Sequence, residues 1–160
     1  MKTIAIKGDN YFGSFKYIRT ACRALIIEDD MILTSFESAS SHYMLPGGGL
    51  EEGETIKECV IREVEEETGY IIEPSECELI IEEYYEDTKY VSYYFLANII
   101  GEGKVHLTSL EVEVGLKPIW MNKDELTEIF SKHNQKKKEE WRGLYQREYI
   151  ALTNLIDKIK

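Results

Sequence analysis

The stretch from Leu45 to Tyr70 limits what this chain can fold into more than any other. Pro46-Gly47-Gly48-Gly49 runs through a turn into a helix-patterned segment, Thr55 to Thr68, that carries four glutamates near its end. Three consecutive glycines let the backbone take positive φ, approach a ligand closely and aim carbonyl oxygens at a cation. Alone, they would equally serve an ordinary tight loop. The helix says more. At about 100° per residue with Ile56 at zero, Val60 falls near ~40°, Val64 near ~80° and Cys59 near ~300°, which defines a buried arc. Glu63 at roughly 340°, Glu67 at roughly 20° and Glu66 at roughly 280° share or border that arc, while Glu58 and Glu65 fall near ~200° and ~180°, on the opposite side.

The two sets of glutamates have different needs. Glu58 and Glu65 read as solvated surface. Glu63, Glu66 and Glu67 crowd like charges into one turn beside apolar side chains, an arrangement that repels itself unless something neutralises it. A divalent cation is the natural neutraliser. Hard oxygen ligands suit Mg²⁺, or Mn²⁺ as a substitute, and leave positions for water and phosphate oxygens. The competing reading is a charge run on a solvated face, and placement beside the apolar arc and the glycines argues against it.

Written G-x5-E-x7-R-E-U-x-E-E-x-G-U, with U a bulky apolar residue, the Nudix box resembles Gly48, Glu54, Arg62, Glu63, Val64, Glu66, Glu67, Gly69 and Tyr70 at those spacings. Tyr70 stands where an aliphatic residue is usual, a departure that concerns packing at the helix exit. The resemblance implies an α/β fold, a Nudix-type α/β/α sandwich with a mixed β-sheet. It also implies that Glu63, Glu66, Glu67 and the Gly47 carbonyl bind metal, and that Glu54 and Arg62 support Glu63. The implied reaction is water attack on phosphorus in a nucleoside diphosphate linked to a further group, with Mg²⁺ or Mn²⁺ as cofactor. The family draws its general base from the box helix or from a later loop. Glu113, seven residues before Trp120, is the loop candidate, and Glu111 is close enough to replace it.

The rest of the chain fits one domain over residues 1–160, since 43% hydrophobic content supports a real core. A net charge of −11 disfavours a nucleic-acid polymer as partner, because phosphate backbones need clustered Lys and Arg. A small phosphorylated, nucleotide-like substrate would then approach with cations between it and the protein. Cys22, Cys59 and Cys77 lack any C-x-x-C pairing and read as reduced, buried residues. The first ten residues have no signal-peptide core and no apolar run spans a membrane, so a cytoplasmic location is expected. His42, His106 and His133 have no nucleophile partner and read as surface or loop residues.

Around the box, Tyr17 to Ile27 and Met31 to Phe36 predict a hairpin across Glu28-Asp29-Asp30. Glu78 to Tyr85 and Tyr90 to Ile100 predict a second strand pair. Helices are expected from Asp124 to about His133, capped by Asn122, and from Glu139 to Ile159. Arg19 and Arg23 share strand parity and could reach phosphate together, although surface salt bridges are their ordinary use. Tyr84, Tyr85, Tyr90, Tyr93 and Tyr94 offer stacking surfaces, but strand aromatics usually serve packing. Lys136-Lys137-Lys138 reads as a solvated approach to the last helix. Trp141 and Tyr145 are expected to pack within the domain, with a homodimer contact as the alternative.

Two other functions use the same scaffold. One is a non-catalytic metabolite-sensing module, which an intact box disfavours. The other is a prenyl-diphosphate isomerase, which needs a cysteine in the pocket, whereas Cys59 lies on the buried arc and Cys22 is expected in a core strand.

Overall fold

Neighbouring apolar residues, Leu25 and Ile26, Ile32 and Leu33, Tyr94 and Phe95, divide between two separate cores. Successive strand side chains point to opposite faces, so such pairs require sheets covered on both sides. The computed structural model describes residues 1–159 and shows that arrangement. In chain order its elements are β1 (Lys2–Lys7), β2 (Tyr17–Leu25), β3 (Ile27–Glu28), β4 (Met31–Glu37), β5 (His42–Met44), β6 (Gly47–Gly49), α1 (Ile56–Thr68), β7 (Tyr70–Tyr85) and β8 (Thr88–Glu102). There follow α2 (Ser109–Glu113), β9 (Leu116–Asn122), α3 (Lys123–Ser131) and α4 (Glu139–Leu155).

The larger sheet has the order β1-β7-β8-β2-β6 and is mixed: β1 with β7 and β8 with β2 run parallel, β7 with β8 and β2 with β6 antiparallel. In the smaller sheet β4 pairs with β3, β5 and β9. Cys59, Val60 and Val64 of α1 pack with Cys22, Ala24, Ile72 and Phe95 on one side. Tyr145, Ala151, Leu152 and Leu155 of α4, with Leu126 and Phe130 of α3, pack with Leu25, Leu79, Ile81 and Tyr94 on the other. This is the α/β/α sandwich with a mixed sheet.

The expected first hairpin exists only at its tip. Ile27 and Glu28 pair with Ile32 and Met31 around Asp29 and Asp30, both at positive φ, but β2 leaves this sheet and joins the other. Alternation cannot distinguish these outcomes, because it specifies a strand's faces and not its neighbours. The second hairpin is longer than expected at both ends, and irregular around Pro74 to Leu79. β1 was not anticipated. It pairs in parallel with β7, a non-local partner that no turn residue announces. Asn122 caps α3 by accepting from the backbone N–H groups of Asp124 and Glu125. Among the described residues no helix is long and apolar enough to cross a membrane.

Candidate active site

α1 is fixed at both ends, and this fixes the glutamates. Thr55 Oγ1 accepts from the Glu58 N–H at 3.1 Å and Glu58 Oε1 accepts from the Thr55 N–H at 3.0 Å, a reciprocal cap that satisfies two free donors of the first turn. Glu58 therefore has a structural task beyond solvation. Gly69 ends the helix at φ +80° and donates its N–H to the Glu65 carbonyl, a left-handed cap that favours glycine. Glu65 also departs from the surface reading: its carboxylate lies over Gly103 and accepts weakly from the Lys104 N–H at 3.4 Å.

Between the caps, the three remaining carboxylates grade from interior to solvent. Glu67 is buried, and its Oε1 accepts from Ser35 Oγ at 2.8 Å and from the Gly47 N–H at 3.2 Å. Burial pushes its pKa up to about 8, with Ser35, Gly47 and the Arg23 charge opposing. Glu63 is also raised, chiefly by burial, with Arg62 opposing and the Glu66 charge adding to the rise. Glu66 is the most open of the three.

Arg62 joins the set together. Its Nε and Nη2 grip both Glu54 oxygens at 2.6 and 3.0 Å, and Nη1 reaches Glu63 at 2.9 Å and Glu66 at 3.1 Å. Nη2 also donates to the Gly49 carbonyl at 3.0 Å, which ties the helix to β6. The grip holds Glu54 well below the usual carboxylate range, at about 2. Thus Glu54, Arg62, Glu63, Glu66 and Glu67 are brought together around the glycine strand.

Gly47 and Gly48 are crowded where they stand, whereas Gly49 has open space around it. A Cβ on Gly47 would strike the Cys22 carbonyl and the Arg23 backbone, and one on Gly48 would strike the Glu63 carboxylate. Backbone therefore sits directly against the acidic side chains. This donor set, carboxylate oxygens in excess of one guanidinium with two of them raised by burial, fits a hard divalent cation. Among the described residues no three acidic, His or Cys side chains already converge at ligand spacing, and Arg62 contacts both Glu63 and Glu66.

Of the two loop acids, Glu113 ends α2 in an exposed position, whereas Glu111 caps the same helix through Thr108, and its charge is felt at both Glu63 and Glu67. His42 is not a surface residue. It is buried, stacked face to face on Trp141 at 3.7 Å, because α4 closes over β5. Trp141 and Tyr145 thus pack within the chain, and Tyr145 Oη accepts from the Tyr43 N–H. Cys22 and Cys59 are fully buried, while Cys77 is only half-buried. Most of the tyrosines pack; Tyr90 is the exposed one of the five.

Two features were not legible in the sequence. Ser35 orients Glu67 from β4, outside the box and 32 residues away. Under α4, Glu148 is fully buried and accepts from the Leu45 N–H and from Tyr94 Oη, both at 2.6 Å, which anchors the chain just before the glycines. An Arg147-Glu148 pair inside an apolar helix stripe was the available signal.

A family model described as NUDIX domain matches residues 18–142. The uncharacterized Nudix hydrolase YvcI of Bacillus subtilis strain 168 is 37% identical over 59 residues, 36% of this chain, and the alignment takes in only 37% of that relative's length. A Nudix hydrolase structure from Nitrosomonas europaea superposes with TM-score 0.58 at 24% identity, over 85% of this chain and 90% of that one. A mutator MutT protein structure from Bacillus halodurans gives TM-score 0.56 at 28% identity, over 69% and 72%. The chain belongs to the Nudix hydrolase family.

Proposed function

We propose that this protein hydrolyses a diphosphate linkage in a small, nucleotide-like phosphorylated compound. Mg²⁺, or Mn²⁺ in its place, would be held by Glu63, Glu66, Glu67 and the Gly47 carbonyl. The observation that supports this most is the gathering of those carboxylates against a glycine strand in which Gly47 and Gly48 have no room for side chains. A bound divalent cation would polarise phosphoryl oxygens and make water a better nucleophile at neutral pH.

The chain's own residues supply the rest. Ser35 and the Gly47 N–H hold Glu67 in one orientation. Glu54 fixes Arg62, and Arg62 holds Glu63 and Glu66 beside the glycine strand, from which a cation would draw their oxygens into its own shell. Glu113 and Glu111 are the loop acids available to take the proton from the attacking water. The influence of Glu111 on Glu63 and Glu67 favours it over Glu113. Full burial of Cys22 and Cys59 weighs against an isomerase.

The test is product identification by mass from nucleoside triphosphates, oxidised nucleotides, ADP-ribose, dinucleoside polyphosphates and nucleotide sugars, with Mg²⁺ and with chelator. Metal-dependent cleavage of one class is expected. Folded, metal-binding protein that cleaves nothing on the panel would favour a sensing module.

A further inference from the structure

The chain has 30 acidic and 19 basic residues, so a guanidinium finds a carboxylate easily. Arg62 and Arg147 do so. Among the described residues, Arg19 and Arg23 have no carboxylate partner, which corrects the expectation of surface salt bridges. They stand four apart in β2, in unbroken register with Tyr90 and Tyr94 of β8, on the face that carries Leu25 toward α4. The Nε of Arg23 is buried without a hydrogen-bond partner. The same holds for Nη2 of Arg147, whose Nε is engaged by Tyr94 and Glu148 and whose Nη1 lies 3.5 Å from Glu83.

These three arginines line one cleft of about 460 Å³, together with Ser92, Tyr90 and Gly49. No acidic residue lines it. Buried donors without acceptors are unfavourable unless a ligand or water completes them, and converging guanidinium groups match the several oxygens of a phosphoryl group. The cleft adjoins the acidic cluster across β6. A Cβ on Gly47 would lie against the Arg23 backbone, and the Gly47 N–H itself donates to Glu67.

We infer that this cleft is an anion subsite that binds a further phosphoryl group of the substrate, outside the bond that is cleaved. The substrate class is a compound with a phosphoryl group besides the linkage broken at the carboxylates; this identification of the ligand rests on the hydrolase reading, but the anion site itself does not. Arg19 and Arg23 supply guanidinium groups that no carboxylate pairs with among the described residues, and Arg147 supplies a directed donor from α4.

Binding separates the two ideas. Inorganic pyrophosphate is titrated calorimetrically into the intact chain in chelator, where no turnover occurs. Arg23→Gln should weaken binding at least about tenfold, Arg19→Gln severalfold, and the double variant should abolish it, with thermal midpoints confirming that each is folded. Arg23→Lys should retain part of the affinity, and Glu66→Gln should leave it unchanged or tighter. Absent binding to the wild type, or equal affinity in the double variant, overturns the subsite. A chain that binds pyrophosphate through these arginines yet hydrolyses nothing keeps the subsite and loses the hydrolase. Metal-dependent turnover with unchanged KM in the double variant does the reverse.

Discussion

Two arginines each gather glutamates, Arg62 on the outer side of α1 and Arg147 on the inner side of α4. Arg62 contacts Glu54, Glu63 and Glu66, with Glu51 at 3.7 Å, and keeps 23% of its side chain exposed. Arg147 contacts Glu83 and Glu148, and Glu148 is fully buried. Both groups carry acids in excess of the guanidinium. Nearer solvent, partners are exchanged more easily, and under the proposed function Glu66, the most open of the three carboxylates, and Glu63 would leave Arg62 for a cation. In the interior, each partner lost strands a charge away from water, so the Arg147 group is a fixed joint. It braces Leu45, the residue that leads into the glycine strand. The same residue types make the proposed site in one place and a structural tie in the other, according to access to water.

The sharpest break in this comparison is Glu66→Gln, or Glu67→Gln, which should lower turnover about 10³-fold by removing ligand charge at constant volume while the fold persists. Wild-type turnover in both would remove the site assignment. On the buried side, Glu148→Ala should cost about 3–5 kcal/mol in urea unfolding by leaving Arg147 and the Leu45 N–H without their acceptor. A loss under about 1 kcal/mol would mean that the tie is dispensable. Arg62→Ala should lower activity by about 10–100-fold through misplaced Glu63 and Glu66, with little change in thermal midpoint. An unchanged rate would reduce Arg62 to a structural pair.

Glu67 gives a pH signature in chelator. Its carboxyl ionises near 4.5 when unfolded and at about 8 when folded, so the folded state holds an extra proton between those values. Stability should fall as pH rises through that window, and Glu67→Gln should flatten the slope by at least about 1 kcal/mol. Parallel curves would contradict it. The smallest effect concerns His42, whose pKa lies below 6.5 through burial, then the Lys136 charge, with Glu140 opposing. The folded state keeps it neutral, so its contribution is present above pH 6.5 and lost as pH falls further. Trp141 emission should titrate with a midpoint below 6.5 and stop doing so in His42→Phe.

The acidic cluster was legible because it is local. Val60, Val64, Glu63, Glu66 and Glu67 lie within three turns of one helix, and helical periodicity alone places them on shared faces. Thr55, Glu58 and Gly69 fix the ends of that helix by contacts three or four residues apart. The turn end of the second hairpin and the existence of the last helix were legible for the same reason, although β7 and β8 run beyond the expected bounds. The β2 to β4 pairing was misread, because strand partners are chosen by sheet assembly, over separations that a repeat of two residues does not encode.

What the sequence by itself determined is the box helix and which of its residues share the buried face, since short-range geometry fixes them; its caps are equally local but Glu58 reads as surface until the structure is seen. Only the tertiary structure decided that Ser35 holds Glu67, that Glu148 braces Leu45, that His42 lies under Trp141, and that Arg19, Arg23 and Arg147 share one cleft. Each of these joins residues far apart in the chain through the packing of one element on another. Burial and partner choice arise from that packing, and a side chain's charge becomes consequential only once its access to water is set.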